Sequence, residues 1–118
     1  MSNTVTIYHN ADCSKSRAAL EYLATQAPDR DVVIINYLDT PPSHSKLAEL
    51  LRRGGMGAHD AIRTSEPAYH ELALNETMSD ADLISTMVAH PILIQRPIIE
   101  TELGVVIARP ITKIAEVL

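Results

Sequence analysis

Residues 5–26 read VTIYHNADCSKSRAALEYLATQ, and the break inside this stretch decides the fold. Val5-Thr6-Ile7-Tyr8 has the β-branched and aromatic content of a short strand. From Ser14 to about Gln26 the pattern turns helical, with Leu20, Leu23, Ala24 and Ala27 expected on one face and Arg17 and Glu21 off it. Between the two lies a polar loop that carries the only cysteine of the chain, Cys13. Backbone N–H groups at a helix start lack intrahelical partners, and the helix dipole there favours negative charge. A thiol in that position is placed for reactivity.

Pro28-Asp29-Arg30 breaks the helix. Val32-Val33-Ile34-Ile35 follows as a continuous apolar run of strand length, and such a run suits a central, buried strand. Strand, helix and strand in this order imply a βαβ unit with two parallel strands.

The middle of the chain reads as helical. Thr40-Pro41-Pro42-Ser43 opens a helix, with prolines tolerated in its first turn. Leu47, Leu50 and Leu51 form its buried stripe, and Gly54-Gly55 ends it. Short helices are expected from Ala58 to Arg63 and from Ala68 to Leu72. Ser79 with Asp82 has capping-box spacing and opens a helix that buries Leu83, Ile84, Met87 and Val88 before Pro91. In the last third the period changes again. Pro97-Ile98-Ile99-Glu100 and Val105-Val106-Ile107-Ala108 read as strands of an antiparallel hairpin, joined at Thr101-Glu102-Leu103-Gly104. Pro110 opens a final helix with Ile111, Ile114, Ala115 and Leu118 at helical spacing. The elements add up to an α/β fold of thioredoxin-like order: a four-stranded mixed sheet flanked by helices on both faces, with a helical insertion between strands 2 and 3. No linker or repeat interrupts it, so residues 1–118 are read as one domain.

Composition narrows the function classes. The 118 residues are 46% apolar, with no Trp or Phe, four Tyr and a formal net charge of −5. Base-stacking platforms are scarce and the charge opposes general polyanion binding, so nucleic acid is not an expected partner. No apolar run approaches the roughly 18 residues of a membrane span, and the N-terminus does not read as a signal peptide. A single cysteine rules out an internal disulfide and multi-cysteine metal sites, which fits a reducing cytoplasm. His44, His59, His70 and His90 lack metal-site spacing and read as surface or helix-end residues.

An ordinary thiol, with a pKa of about 8.5, is only about 3% thiolate at pH 7. The helix start and Arg17, one turn on, both favour the thiolate of Cys13. His9 is placed either to support the thiol by hydrogen bonding or to tie down the loop. Arg52 and Arg53 read as solvated surface cations. Arg96 and Arg109 each precede a proline, which holds their backbone extended.

IYHNADCSKSRAAL resembles the active-site loop of the glutaredoxin-coupled arsenate reductases, a strand followed by HN-x-x-C-x-x-S-R. LIQRPII, residues 93–99, resembles that family's Arg-Pro segment entering the third strand. ARPITKIAEVL, residues 108–118, resembles its Arg-Pro entry to the last helix, and DAIRTSEPAYHEL resembles its arginine-bearing helix. The four segments keep the family's order along essentially the whole chain, which is similar to the shorter members without a C-terminal tail.

The resemblance implies a thioredoxin-like fold and a role for each matching position. Cys13 matches the nucleophile; His9, Ser16 and Arg17 match residues that support the thiolate; Arg63, Arg96 and Arg109 match the arginines around the oxyanion. It also implies an enzyme that reduces arsenate to arsenite through a covalent adduct on Cys13, and nothing in the sequence demands more than a monomer. Glutathione would be the co-substrate and glutaredoxin the protein partner, with no metal or bound cofactor. The fold analogy raises a cis Arg96–Pro97 bond beside the thiol loop. Two other readings remain. One is a glutathione-linked thiol oxidoreductase with a different substrate. The other is a Spx-type redox regulator of transcription, disfavoured because Cys13-Ser14-Lys15-Ser16 lacks the second cysteine of a C-x-x-C switch.

Overall fold

The computed structural model describes residues 3–118. They divide into two compact units: residues through Thr40 together with Arg96–Leu118, and the segment Pro41–Gln95 inserted between them in sequence.

The first unit is built on the βαβ stretch. β1 (Thr4–His9), α1 (Ser14–Gln26) and β2 (Asp31–Asn36) are joined by β3 (Ile98–Thr101) and β4 (Gly104–Ile107) into a four-stranded mixed sheet of order β2-β1-β3-β4. β1 runs parallel to β2, with Ile7 opposite Ile34, and antiparallel to β3, with Ile7 opposite Ile99. β3 and β4 form the expected hairpin, closed where Thr101 pairs with Gly104. Val5, Ile7 and Ile99 project from one face of the sheet. They pack with Ala19 and Leu23 of α1 and with Ile114 and Val117 of a C-terminal 3₁₀ segment, Ile111–Val117. Burial of each larger aliphatic side chain contributes about 1.5–3 kcal/mol, so this cluster fixes α1, and with it the Cys13 loop, on the sheet. The opposite face carries Tyr8, Ile98 and Val105, also buried, and the Tyr8 hydroxyl donates to Glu100 Oε1 at 3.1 Å.

The second unit is helical: α2 (His44–Arg53), α3 (Ala58–Ala61), α4 (Pro67–Glu71) and α5 (Asp80–Ala89), then a 3₁₀ turn at Pro91–Leu93. α2 packs on α5, and Leu47, Leu50 and Leu51 are buried along with Leu83, Ile84 and Met87. A serine side chain caps the start of both helices. The Ser43 hydroxyl accepts the Lys46 N–H at 3.1 Å, and the Ser79 hydroxyl accepts that of Asp82 at 3.2 Å. Gly55, at φ +65°, follows the end of α2 in the left-handed conformation that glycine adopts without penalty.

Several details depart from expectation, each for a physical reason. β2 is an edge strand rather than a central one, and Val32, Val33 and Ile34 are 37%, 44% and 54% exposed. An apolar run reports strand propensity but not strand order, and here β1 holds the centre. On α1 the buried stripe is Ser16, Ala19 and Leu23, while Ala24 is exposed. The small residues Ser16 and Ala19 let the helix approach the sheet, which hydrophobicity alone does not signal. Pro41 and Pro42 precede α2 instead of entering its first turn, because Ser43 takes the cap. Val88 is half-buried at the end of α5. The last helix is 3₁₀, with Ala115 exposed; three residues per turn put Ile111, Ile114 and Val117 in line.

Candidate active site

Loop 10–13 is tied by its own groups. Asn10 Oδ1 accepts the Asp12 N–H at 3.0 Å, and the Asn10 carbonyl accepts the Cys13 N–H at 3.0 Å. Ser16, fully buried on α1, accepts the Asn10 N–H on its hydroxyl at 3.2 Å. Arg17 donates Nη1 to the Ala11 carbonyl at 2.7 Å. Ser16 and Arg17 therefore clamp the loop from the first turn of α1, one from beneath and one from the exposed side.

Cys13 sits at the N-cap of α1, 7% exposed, with φ −99° and ψ 122° and no side-chain cap bond. Burial pushes its thiol up. The backbone N–H of Ser16, the Arg96 side chain, the backbone N–H of Lys15 and the charge of Arg96 outweigh that effect, so the thiol lies below its ordinary value. A thiol lowered in this way at a helix start has the chemistry that reactive cysteines share.

Arg96 reaches Cys13 from the segment before β3. Its Nε and Nη1 are buried and have no hydrogen-bond partner among the described residues. Buried donors without partners are rare and call for a reason, and guanidinium donors beside a thiolate suit a tetrahedral oxyanion. The Arg96–Pro97 bond is cis, and so is Arg109–Pro110, which the sequence reading did not foresee. Arg109 donates Nε to the Arg96 carbonyl at 2.8 Å, so the two arginine-proline junctions are hydrogen-bonded to each other.

His9, at the end of β1, is buried, and its Nδ1 makes no hydrogen bond among the described residues. Burial, and then the charge of Arg17, hold its imidazole below the usual histidine value, so it is neutral at pH 7. Arg17 thus acts electrostatically on His9, and Arg96 is the cation acting on Cys13. Arg63 belongs to the second unit. There it pairs with Glu66 at 2.9 Å and donates Nη1 to the Ile92 carbonyl at 3.1 Å. Its backbone N–H donates to the Leu93 carbonyl at 2.8 Å, next to the bridge between Ile62 and Ile94.

Two contributors escaped the sequence reading. Asn10 organises the loop, and its place three residues before the cysteine at a polar turn was the available signal. Lys15 supplies a backbone N–H to the thiol and, with Arg109, lines a pocket of about 460 Å³. Its three-residue spacing to Ala18, which also lines the pocket, marks a common helix face. Among the described residues no three His, Cys, Asp or Glu side chains converge as a metal site would require, and no helix is long and apolar enough to cross a membrane.

The sequence pattern of the ArsC family matches residues 8–117. A protein of Yersinia enterocolitica named arsenate reductase is 41% identical over 119 aligned residues, covering all of this chain and 82% of its own length. An arsenate reductase of Neisseria meningitidis serogroup A is 37% identical over 97% of both chains. Among solved structures, an arsenate reductase from Vibrio cholerae matches with a TM-score of 0.92 at 36% identity, over the full length of each chain.

Proposed function

This chain belongs to the ArsC family, and from that premise we propose that it is an arsenate reductase whose nucleophile is Cys13. The observation that carries the reading is the pairing of a buried, pKa-lowered thiol with Arg96, whose Nε and Nη1 have no protein partner among the described residues.

Arsenate, like phosphate, is a multiply charged tetrahedral oxyanion, and a thiolate approaching it is repelled. Cationic donors fixed before the reaction offset both charges without reorganising. Arg96 serves the thiolate and the oxyanion together, and Arg109, held against the Arg96 carbonyl, adds a second guanidinium. The Cys13 thiolate attacks arsenic and a hydroxyl leaves as water, giving a Cys13–S–As(V) adduct. The thiolate of glutathione then attacks the Cys13 sulfur. An S–S bond forms, the S–As bond breaks with its electron pair on arsenic, and As(V) leaves as As(III), arsenite. The mixed disulfide on Cys13 is resolved by glutaredoxin through thiol–disulfide exchange. Ser16 is buried, holds Asn10 and has no thiol, so the second sulfur has to come from outside the chain. The resemblance gives Arg63 an oxyanion role as well, and Arg63→Gln is expected to raise the KM for arsenate several-fold.

The test is arsenite production from arsenate with glutathione and glutaredoxin, beside Cys13→Ser. Turnover that requires both thiol partners and disappears in the variant supports the reading. A folded protein with reactive Cys13 and no turnover rejects it in favour of a thiol oxidoreductase with another substrate.

A further inference from the structure

The pocket of about 460 Å³ is lined by Lys15, Ala18, Ala108, Arg109, Pro110 and Ile111. Its size falls in the roughly 300–1,000 Å³ range of small-molecule sites, well above what a tetrahedral oxyanion fills. Its lining is of two chemical kinds. Lys15 and Arg109 are cationic, and no acidic residue lines the pocket; Ala18, Ala108, Pro110 and Ile111 make an apolar wall. It is also joined to the thiol through its own residues. The Lys15 backbone N–H reaches Cys13, and Arg109 is bonded to the carbonyl of Arg96, whose side chain reaches Cys13. A ligand here lies against Lys15 and Ala18 at the start of α1 and against the apolar residues that follow β4, with a negative group near Lys15.

We propose that this pocket is the subsite for the second thiol, and that Lys15 selects a peptide thiol bearing carboxylates, of the glutathione type, over a neutral thiol. The inference deepens the reductase reading and takes its identification of glutathione as the reductant from it. The placement itself follows from the pocket's chemistry: a small neutral thiol leaves the cationic residues unmatched, whereas a peptide thiol pairs a carboxylate with Lys15 and lays its backbone on Ala18 and Ile111.

The experiment uses thiol–disulfide exchange without arsenate. The Cys13 thiolate attacks one sulfur of oxidised glutathione, a Cys13–S–S–glutathione bond forms, and one glutathione thiolate is expelled. Hydroxyethyl disulfide undergoes the same exchange without charge. Rates with the two disulfides are compared in the full chain, Lys15→Glu and Ala18→Tyr. Lys15→Glu should lower the glutathione-to-hydroxyethyl rate ratio by roughly three- to tenfold, the scale expected for reversing one exposed charge contact. Ala18→Tyr, which fills the pocket without changing charge, should lower the ratio as well. Adding salt should shrink the full chain's preference and leave Lys15→Glu nearly unchanged.

The hydroxyethyl rate reports whether thiol and fold are intact in each variant. An unchanged ratio in both variants, or equal slowing with both disulfides, overturns the proposal. If the ratio responds as expected while arsenate is never reduced, the subsite stands and the reductase reading falls.

Discussion

The chain contains two arginine-proline junctions, Arg96-Pro97 and Arg109-Pro110, both cis. They share a dipeptide but not a task. The first places its guanidinium against the Cys13 thiol, with Nε and Nη1 lacking protein partners among the described residues. The second lines the Lys15 pocket and donates Nε to the Arg96 carbonyl. Charge and residue type are the same, so the difference comes from what each side chain reaches. Arg96 helps hold the Cys13 thiol below its ordinary value; Arg109 ties the Arg96 backbone and lines the Lys15 pocket.

The largest expected effect falls on the first junction. Arg96→Gln removes the cation acting on Cys13 and should lower kcat for arsenate by about 10²-fold, the scale seen when one preorganised donor to a developing charge is lost. The same variant should raise the Cys13 pKa, read as an upward shift in the pH profile of alkylation. The sign follows from the site: Arg96 stabilises the thiolate, so its removal favours the protonated form. Arg109→Gln comes second. It should raise the KM for arsenate by about three- to tenfold and leave the alkylation profile close to that of the unaltered chain. If the two variants shift that profile equally, the distinction between the junctions fails.

Arg17 sharpens the comparison from another side. Its charge contributes to holding His9 below its usual value, so Arg17→Gln should move the His9 titration upward in an NMR pH series while Cys13 reactivity changes little. The smallest effect is on stability. His9 binds its proton less readily folded than unfolded, so its contribution is complete above the ordinary histidine value and lost as the pH falls toward the folded one. His9→Asn should flatten the acid side of a stability–pH curve, measured by denaturant unfolding between pH 7 and pH 5.

Much of this was legible in the sequence because it is local. The switch from Val5-Thr6-Ile7-Tyr8 to the α1 pattern fixed the βαβ entry, and Ser79 announced its helix by cap spacing. The placement of Cys13 at a helix start follows from the same local logic. What was not legible is long-range. The apolar run of β2 reads the same at an edge as at a centre, since strand order depends on β1 taking its second partner about 90 residues away in β3. The hydrogen bond from Arg109 to the Arg96 carbonyl joins residues on either side of a hairpin, and no periodicity reports it. Nothing local singles out Lys15, because what it lines is completed by Ala108 and Arg109 from beyond β4.

The most direct measurement is a single turnover without glutaredoxin. Protein, arsenate and glutathione are mixed, arsenite is quantified, and the intact chain is weighed by mass spectrometry. The account predicts a burst of about one arsenite per chain, with one glutathione attached at Cys13 and none in Cys13→Ser. Arsenite released in a burst while Cys13 remains an unmodified thiol would contradict it.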